Sequence, residues 1–336
     1  MGILIRNGDI VTAQKRWRGD IRCHEGRIVE LGEALEPSPK DEILDASDRF
    51  VFPGGVDPHV HMQLPVAGTV SSDDFESGTA AALAGGTTTI VDFVHPARGE
   101  DFLEALEARR AEARKAVADY GLHMAVTWWG EETARWMADC VHHEGIPSFK
   151  LYMAYKETVG LEDADLIRAL ESAHHLDARV LVHAEHGDMV EHLRRRLAAE
   201  GSLGPEAHPL SRPPQVEGEA TSRMSFLAGL TGASAYIVHV TCRQAVEALR
   251  QARESGQEIY GETCPQYLLL DETVYESPNF EAASYVIAPP IRAAEHQEAL
   301  WQALRTGTLQ VVGTDHCPFN LEGQKELGRN DFRQIP

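Results

Sequence analysis

The stretch GGVDPHVHMQLP, residues 54–65, follows the apolar run FVFP at 50–53 and interrupts it with charged and metal-ligating side chains. In an extended segment, successive side chains point to opposite faces, so His59 and His61 lie on the same face. Neighbouring imidazoles are poor core material, because a buried polar group costs free energy unless it is bonded. The stretch therefore predicts a strand that ends in a binding site.

Around this strand, short β-rich runs alternate with helical stretches rich in Ala, Leu and Glu. The predicted strands cover 51–61, 87–94, 122–129, 148–155, 178–185, 234–240, 258–264 and 309–315, and the predicted helices lie near 75–84, 100–118, 132–144, 163–176, 186–200, 217–230, 242–255 and 294–306. Since parallel strands need crossover connections, this alternation predicts an α/β fold, a (β/α)8 TIM barrel over residues 51–336. A doubly wound open sheet is the alternative.

Residues 1–50 have a different pattern, in which short strand-like runs are separated by Asn-Gly, Glu-Gly and Pro turns. Such spacing is typical of hairpins. We expect these residues to form a small antiparallel sheet, as the N-terminal part of a small β domain.

The composition limits the partners. The 336 residues carry a formal net charge of -21, which disfavours nucleic acid and anionic membrane. No apolar run approaches the ~20 residues of a membrane span. The five cysteines form no C-x-x-C pair, a usage typical of a reducing cytoplasm.

Candidate metal ligands recur at the predicted strand ends. They are His59 and His61 on the first strand, Lys150 on the fourth, His183 on the fifth, His239 on the sixth and Asp315 on the eighth. In a barrel these ends meet at one mouth, and the strand-end chemistry therefore favours the barrel over the open sheet. Imidazole and carboxylate suit zinc and its neighbours, and six groups suit a pair of ions ~3.5–4 Å apart.

Taken singly, these residues have simpler explanations. One strand-end histidine is more often a hydrogen-bonded core residue, and Lys150 alone would be a salt-bridge partner. A desolvated lysine, however, has a lowered pKa and can react as a neutral amine with carbon dioxide. The resulting carbamate, N6-carboxylysine, could bridge two metal ions, which is our hypothesis for Lys150.

Seven motifs run in order through residues 53–320. They are PGGVDPHVHMQLP, SFKLYMAYK, VLVHAEHGD, YIVHVT, GETCPQYLLLD, APPIR and GTDHCPFN. On these motifs the chain resembles the dihydropyrimidinase/D-hydantoinase family of cyclic amidohydrolases. The resemblance implies two divalent metal ions per subunit, zinc first, with Mn²⁺, Co²⁺ or Fe²⁺ as alternatives. It assigns one ion to His59, His61 and Asp315 and the other to His183 and His239. A carboxylated Lys150 and a hydroxide would bridge them.

The resemblance also implies an activity, the hydrolytic ring opening of dihydropyrimidines or 5-substituted hydantoins to N-carbamoyl amino acids by that hydroxide. Asp315 would act as base and then as acid, and Tyr155 would donate to the carbonyl oxygen. Backbone groups near Ala288 would hold the cyclic ureide. Leu64, Tyr152 and Val159 match positions on loops that select the ring substituent.

Relatives continue beyond Pro336 with a substrate-contacting Asn-Gly, a helix and strands. The resemblance therefore implies a small β-sandwich domain of which only the N-terminal part is in this sequence. It also implies a cytoplasmic homo-oligomer, a tetramer or a dimer. An allantoinase or dihydroorotase-like hydrolase and a non-catalytic scaffold are the alternatives. Met62-Gln63-Leu64 replaces the arginine that dihydroorotases usually show, which argues against that activity.

Overall fold

The computed structural model describes residues 2–336, which form two compact units that divide between Gly55 and Val56. The first unit holds a five-stranded sheet with strands β1 Gly2–Val11, β2 Arg16–His24, β3 Arg27–Gly32, β4 Asp41–Asp45 and β5 Phe50–Val51. β1 pairs antiparallel with β2 but parallel with β4 and β5. The prediction of an antiparallel sheet was therefore wrong for β4 and β5, because the connection after β3 returns the chain to the side of β1.

The second unit is built on an eight-stranded parallel sheet. Its strands, in spatial order, are β6 Gly55–Val60, β9 Thr87–Val94, β10 Asp119–Ala125, β11 Ser148–Tyr152, β12 Arg179–His183, β13 Ser234–Ile237, β14 Ile259–Thr263 and β15 Val311–Val312. A parallel bridge joins Val60 to His316, and the His61 amide donates to the His316 carbonyl at 2.8 Å. This contact links the first and last strands, so the predicted (β/α)8 barrel is confirmed and the open sheet is not found.

Helices follow the strands in the predicted rhythm. They are α1 Phe75–Ala84, α2 Phe102–Ala113, α3 Thr133–His142, α4 Asp163–His175, α5 Gly187–Ala199, α6 Ala207–Leu210, α7 Pro214–Thr231, α8 Arg243–Glu254, α9 Pro265–Leu269 and α10 Glu295–Thr306. A two-stranded hairpin, β7 Pro65–Val66 with β8 Thr69–Val70, follows the first barrel strand, and short 3₁₀ turns span Glu272–Glu276, Glu281–Tyr285, Lys325–Gly328 and Phe332–Gln334.

Local signals explain where the helices begin and which face they bury. The Asp74 side chain accepts from the Ser77 amide at the start of α1, and Asp101 caps α2 in the same way. Phe102 and Leu106 of α2 are fully buried. Val117 lies within the predicted helix near 100–118, but α2 ends at Ala113 and leaves Val117 55% exposed.

Strand alternation decides which side chains enter the barrel. Phe149 and Leu151 on β11 belong to the main core cluster, which includes side chains of the surrounding helices. Lys150, between them, therefore points to the opposite face, and it is only 1% exposed. A separate small cluster, which includes Phe93 and Tyr236, fills the barrel interior beneath the mouth.

Within residues 2–336, no helix combines the length and the apolar character that crossing a bilayer requires.

Candidate metal centre

The candidate ligands lie where barrel strands end. His59 is in β6, Lys150 in β11, and His183 is the last residue of β12, while His239 and Asp315 follow β13 and β15. His239 and Asp315 have φ angles of 41° and 52°, in the left-handed region that non-glycine residues rarely adopt. Backbone strain of this kind clusters at functional sites, where the surrounding structure compensates for it.

The first group of donors consists of His59, His61 and Asp315. Asp315 Oδ1 lies 3.1 Å from His59 Nε2 and 3.2 Å from His61 Nε2. One donor atom from each residue falls within 4.8 Å of the other two, a spacing that could hold a metal ion. Both histidines are buried.

The tautomer of His59 is set by a carboxylate on its far side. His59 Nδ1 lies 2.7 Å from Glu262 Oε1, and Tyr236 donates to the other Glu262 oxygen at 2.7 Å. Burial raises the pKa of Glu262 to about 7. The His239 amide also donates to this carboxylate, so the donors around it are His59, Tyr236 and that amide. Three donors favour the ionised form of Glu262. A proton on Nδ1 leaves Nε2 of His59 as a lone pair facing Asp315.

This arrangement fits a bound cation. When the proton of His59 is on Nδ1, its Nε2 atom cannot donate a hydrogen bond to the Asp315 oxygen 3.1 Å away. Two lone pairs then face each other. Burial lowers the pKa of His59 well below its ordinary value, so a second proton on the ring is disfavoured. A metal ion between nitrogen and oxygen donors would satisfy both lone pairs.

His183 and His239 form the second group. His183 Nδ1 lies 3.0 Å from His239 Nε2, and the two rings meet edge to face with centroids 4.7 Å apart. His183 Nε2 lies 2.8 Å from Glu185 Oε2, which places its proton on Nε2 and its lone pair towards His239. The rings of His239 and His59 stack at 5.6 Å, so the two groups adjoin.

Lys150 lies beside the first group. Its Nζ is 3.5 Å from His59 Nε2 and 5.1 Å from the Phe93 ring centroid. It forms no ion pair with a carboxylate of residues 2–336, so the salt-bridge explanation finds no support. Burial lowers its pKa to about 8. All six predicted ligands are thus close together at one mouth.

The predicted substrate-contacting residues lie around this mouth. Tyr155 has its ring centroid 5.2 Å from that of His183 and a φ of 59°. Its carbonyl accepts from the amides of residues 158–160, which folds the following loop and places Val159 on it. Tyr152 Oη lies 2.7 Å from His95 Nε2. Leu64 immediately precedes the β7–β8 hairpin.

Ala288 lies in a loop that is anchored by side chains from two other segments. His208 Nε2 lies 2.7 Å from the Ile287 carbonyl, and Lys325 donates to the Val286 carbonyl at 2.7 Å. Ala288 itself is partly buried. The loop therefore presents backbone groups from a fixed position.

The sequence reasoning missed Glu262, Glu185 and His95. Glu262 could have been found, since no candidate was assigned to the seventh strand although its end shares the same mouth. Glu185 stands two residues after His183, within the predicted strand 178–185. Asp57 supports the strand that carries His59: its carboxylate accepts from the Thr314 amide at 3.1 Å and ties the first strand to the segment that follows the last one.

A parallel β/α barrel with imidazole and carboxylate donors at one mouth is typical of metal-binding barrel proteins, and this chain has both features. The amidohydrolase family model matches residues 50–332, and the chain belongs to this metal-dependent family. It is 47% identical to the D-hydantoinase of Geobacillus stearothermophilus, over 99% of this chain and 71% of that protein. It is 44% identical to the dihydropyrimidinase of Arabidopsis thaliana, over 99% of this chain and 63% of that protein. The crystal structure of the dihydropyrimidinase from Brevibacillus agri matches with a TM-score of 0.98 at 46% identity, covering 100% of this chain and 73% of that one.

Proposed function

We propose that this chain is a metal-dependent cyclic amidase that opens 5,6-dihydropyrimidines or 5-substituted hydantoins to N-carbamoyl amino acids. The observation that carries the proposal is the clustering of His59, His61 and Asp315 within 4.8 Å, with the other donors beside them. The names of the relatives support the cyclic ureide as the substrate class.

Two metal positions are proposed. His59, His61 and Asp315 would hold one divalent ion, and His183 and His239 would hold the other. Lys150, as N6-carboxylysine, would contribute to both. Such ions, with zinc the first candidate, lower the pKa of bound water towards neutrality and polarise a carbonyl oxygen.

Asp315 is proposed to move the proton. Its Oδ1 faces both His59 and His61, which leaves Oδ2 to take a proton from the attacking water. The same oxygen would then protonate the ring nitrogen as the amide bond breaks. A base that becomes an acid is required because the leaving nitrogen must be neutral.

Tyr155 is proposed to donate a hydrogen bond to the carbonyl oxygen as charge develops there. Burial raises the pKa of its phenol, so the hydroxyl remains protonated and able to donate. The positive φ and the three amides that bond to its carbonyl hold the residue in one conformation. A fixed donor of this kind stabilises an oxyanion without reorganising.

Substrate selection is assigned to the surrounding loops. Backbone groups near Ala288 would hold the ureide, while Leu64, Tyr152 and Val159 would contact the ring substituent. Val159 is small for a gating position, so larger substituents are expected to fit. We also propose a cytoplasmic homo-oligomer, a tetramer or a dimer; the five free cysteines support a reducing compartment.

The assay that tests this function compares dihydrouracil, hydantoin, allantoin and dihydroorotate as substrates of the zinc-loaded protein. We expect ring opening of dihydrouracil or hydantoin at a kcat/KM at least about tenfold above the other two, a margin of about 1.4 kcal/mol. Absorbance loss and the appearance of carbamoyl product would report it. Preference for allantoin or dihydroorotate, or no turnover in protein that holds its metal, would contradict the proposal.

A further inference from the structure

Behind His183 lies a buried group of charged and polar side chains to which the proposed chemistry assigns no role. We call it the Arg212 cluster, and its members are Glu185, Arg212, Glu217, Thr241 and Arg292. All five are at most 6% exposed. Burying two arginines and two glutamates is costly unless every charge is paired, so such a cluster needs a reason.

The cluster reaches His183 through Glu185. Glu185 Oε2 accepts from His183 Nε2 at 2.8 Å and also from the Arg212 guanidinium. These two hydrogen bonds place the Glu185 carboxylate between the His183 imidazole and the Arg212 guanidinium. Arg212 thus holds in place the acceptor that orients the His183 ring.

The same arginine also contacts Tyr155. The Arg212 Cζ atom lies 5.2 Å from the centroid of the Tyr155 ring, within the range of a cation–π interaction. The Tyr155 ring in turn lies 5.2 Å from that of His183. One guanidinium therefore touches the proposed oxyanion donor directly and a proposed metal ligand through one carboxylate.

Arg212 is itself held by Arg292, which lies in the loop before α10. Arg292 donates to the Arg212 carbonyl, pairs with Glu217 at 2.9 Å and donates to Thr241 Oγ1 at 2.8 Å. The Thr241 amide donates to Glu217 at 2.7 Å, and Thr241 stands two residues after His239. The cluster thus joins the chain segments that carry both histidines of the second donor group.

We propose that Arg212 is a positioning residue that fixes two groups at once, His183 through Glu185 and Tyr155 through its ring. This inference rests on the proposed function, because it presumes a metal ion at His183 and His239. It predicts that the second metal position and the oxyanion donor are coupled. Loss of Arg212 should weaken both, although the proposed function assigns Arg212 no contact with metal or substrate.

The test uses Co²⁺ titration of the full chain, followed by visible absorption and by dialysis. Wild type should bind two equivalents. Arg212→Gln and Glu185→Gln should keep the first and bind the second roughly 10–100-fold more weakly, with an altered cobalt spectrum. Arg212→Lys should recover part of the affinity, because its charge can still pair with Glu185. Arg179→Gln, which breaks an exposed pair with Glu258, is the matched control and should bind as wild type does.

Activity provides the second readout. At saturating metal, Arg212→Gln should lower kcat with little change in KM, and the loss should be smaller in a Tyr155→Phe background, because the two changes remove one interaction. Folded Arg212→Gln and Glu185→Gln with two wild-type equivalents and additive kinetics would overturn the inference. Should Arg212→Gln not fold, Glu185→Gln, which keeps the side-chain shape, decides by the same criteria. A wild type that binds no cobalt would instead contradict the proposed function, and the inference with it.

Discussion

Lys150→Ala should lose metal and activity together, and short carboxylic acids such as acetate or propionate should restore part of both. Lys150 Nζ lies 3.5 Å from His59 Nε2 in the first donor group, and no carboxylate of residues 2–336 forms an ion pair with it. If its modified side chain holds both ions, alanine leaves a cavity and one negative charge too few. We expect metal affinity to fall by about 100-fold or more, at or beyond the upper end of effects seen when a supporting group is removed.

The measurement for Lys150 is metal content after dialysis, with kcat/KM determined on the same samples. Lys115→Ala is the control, because Lys115 is an exposed surface lysine paired with Asp74 and should change neither quantity. A Lys150→Ala protein that keeps two ions and full turnover would show that the lysine does not hold them. Rescue by a free carboxylate distinguishes a lost ligand from a damaged fold, since acetate cannot repair misfolding.

Asp315→Asn should lower kcat by about 10²–10⁴-fold, the range that general acid–base catalysis contributes. Asparagine keeps the size of the side chain but cannot take a proton, so water attack and departure of the ring nitrogen would both slow. KM should change little, because the proposed substrate contacts lie on the loops. The charge lost beside His59 and His61 should also weaken the first metal position.

Steady-state kinetics at saturating zinc separate the two effects of this substitution. Asp119→Asn, an exposed aspartate at the start of β10, provides the control and should behave as wild type. An Asp315→Asn protein with bound metal and a kcat within threefold of wild type would refute the proposed proton transfer. If added zinc fully restores the kcat of Asp315→Asn, Asp315 acts only as a metal ligand and not in proton transfer.

The barrel could be predicted because its signals are local. The strands and the main helices were predicted from β-rich runs that alternate with stretches rich in Ala, Leu and Glu, and the six candidate ligands lie at strand ends that a barrel must bring together. The predictions that were wrong concern features that tertiary contacts determine, namely where a helix ends and how a strand pairs. Val117 continues the apolar pattern of α2, yet the helix ends at Ala113 and leaves it exposed. The parallel pairing of β4 with β1 depends on a crossover connection that no short sequence motif predicts.

The supporting carboxylates could not be assigned from the sequence for a related reason. Glu262 orients His59 across 203 residues of chain, and a residue type alone does not say which ring nitrogen it will meet. Arg212 is seen to contact Glu185 and Tyr155 only when three separate segments are placed together. The spacing of the sequence predicts which metal donors lie close together. The tautomer of each histidine and the partners of each buried charge can be assigned only from the three-dimensional structure.

Crystals grown with zinc and measured on both sides of the zinc absorption edge test the central claim most directly. We predict two anomalous peaks about 3.5–4 Å apart, one beside His59, His61 and Asp315 and one beside His183 and His239, with extra density extending from Lys150 Nζ between them. A single peak, peaks away from these residues, or an unmodified Lys150 between two occupied positions would contradict this account.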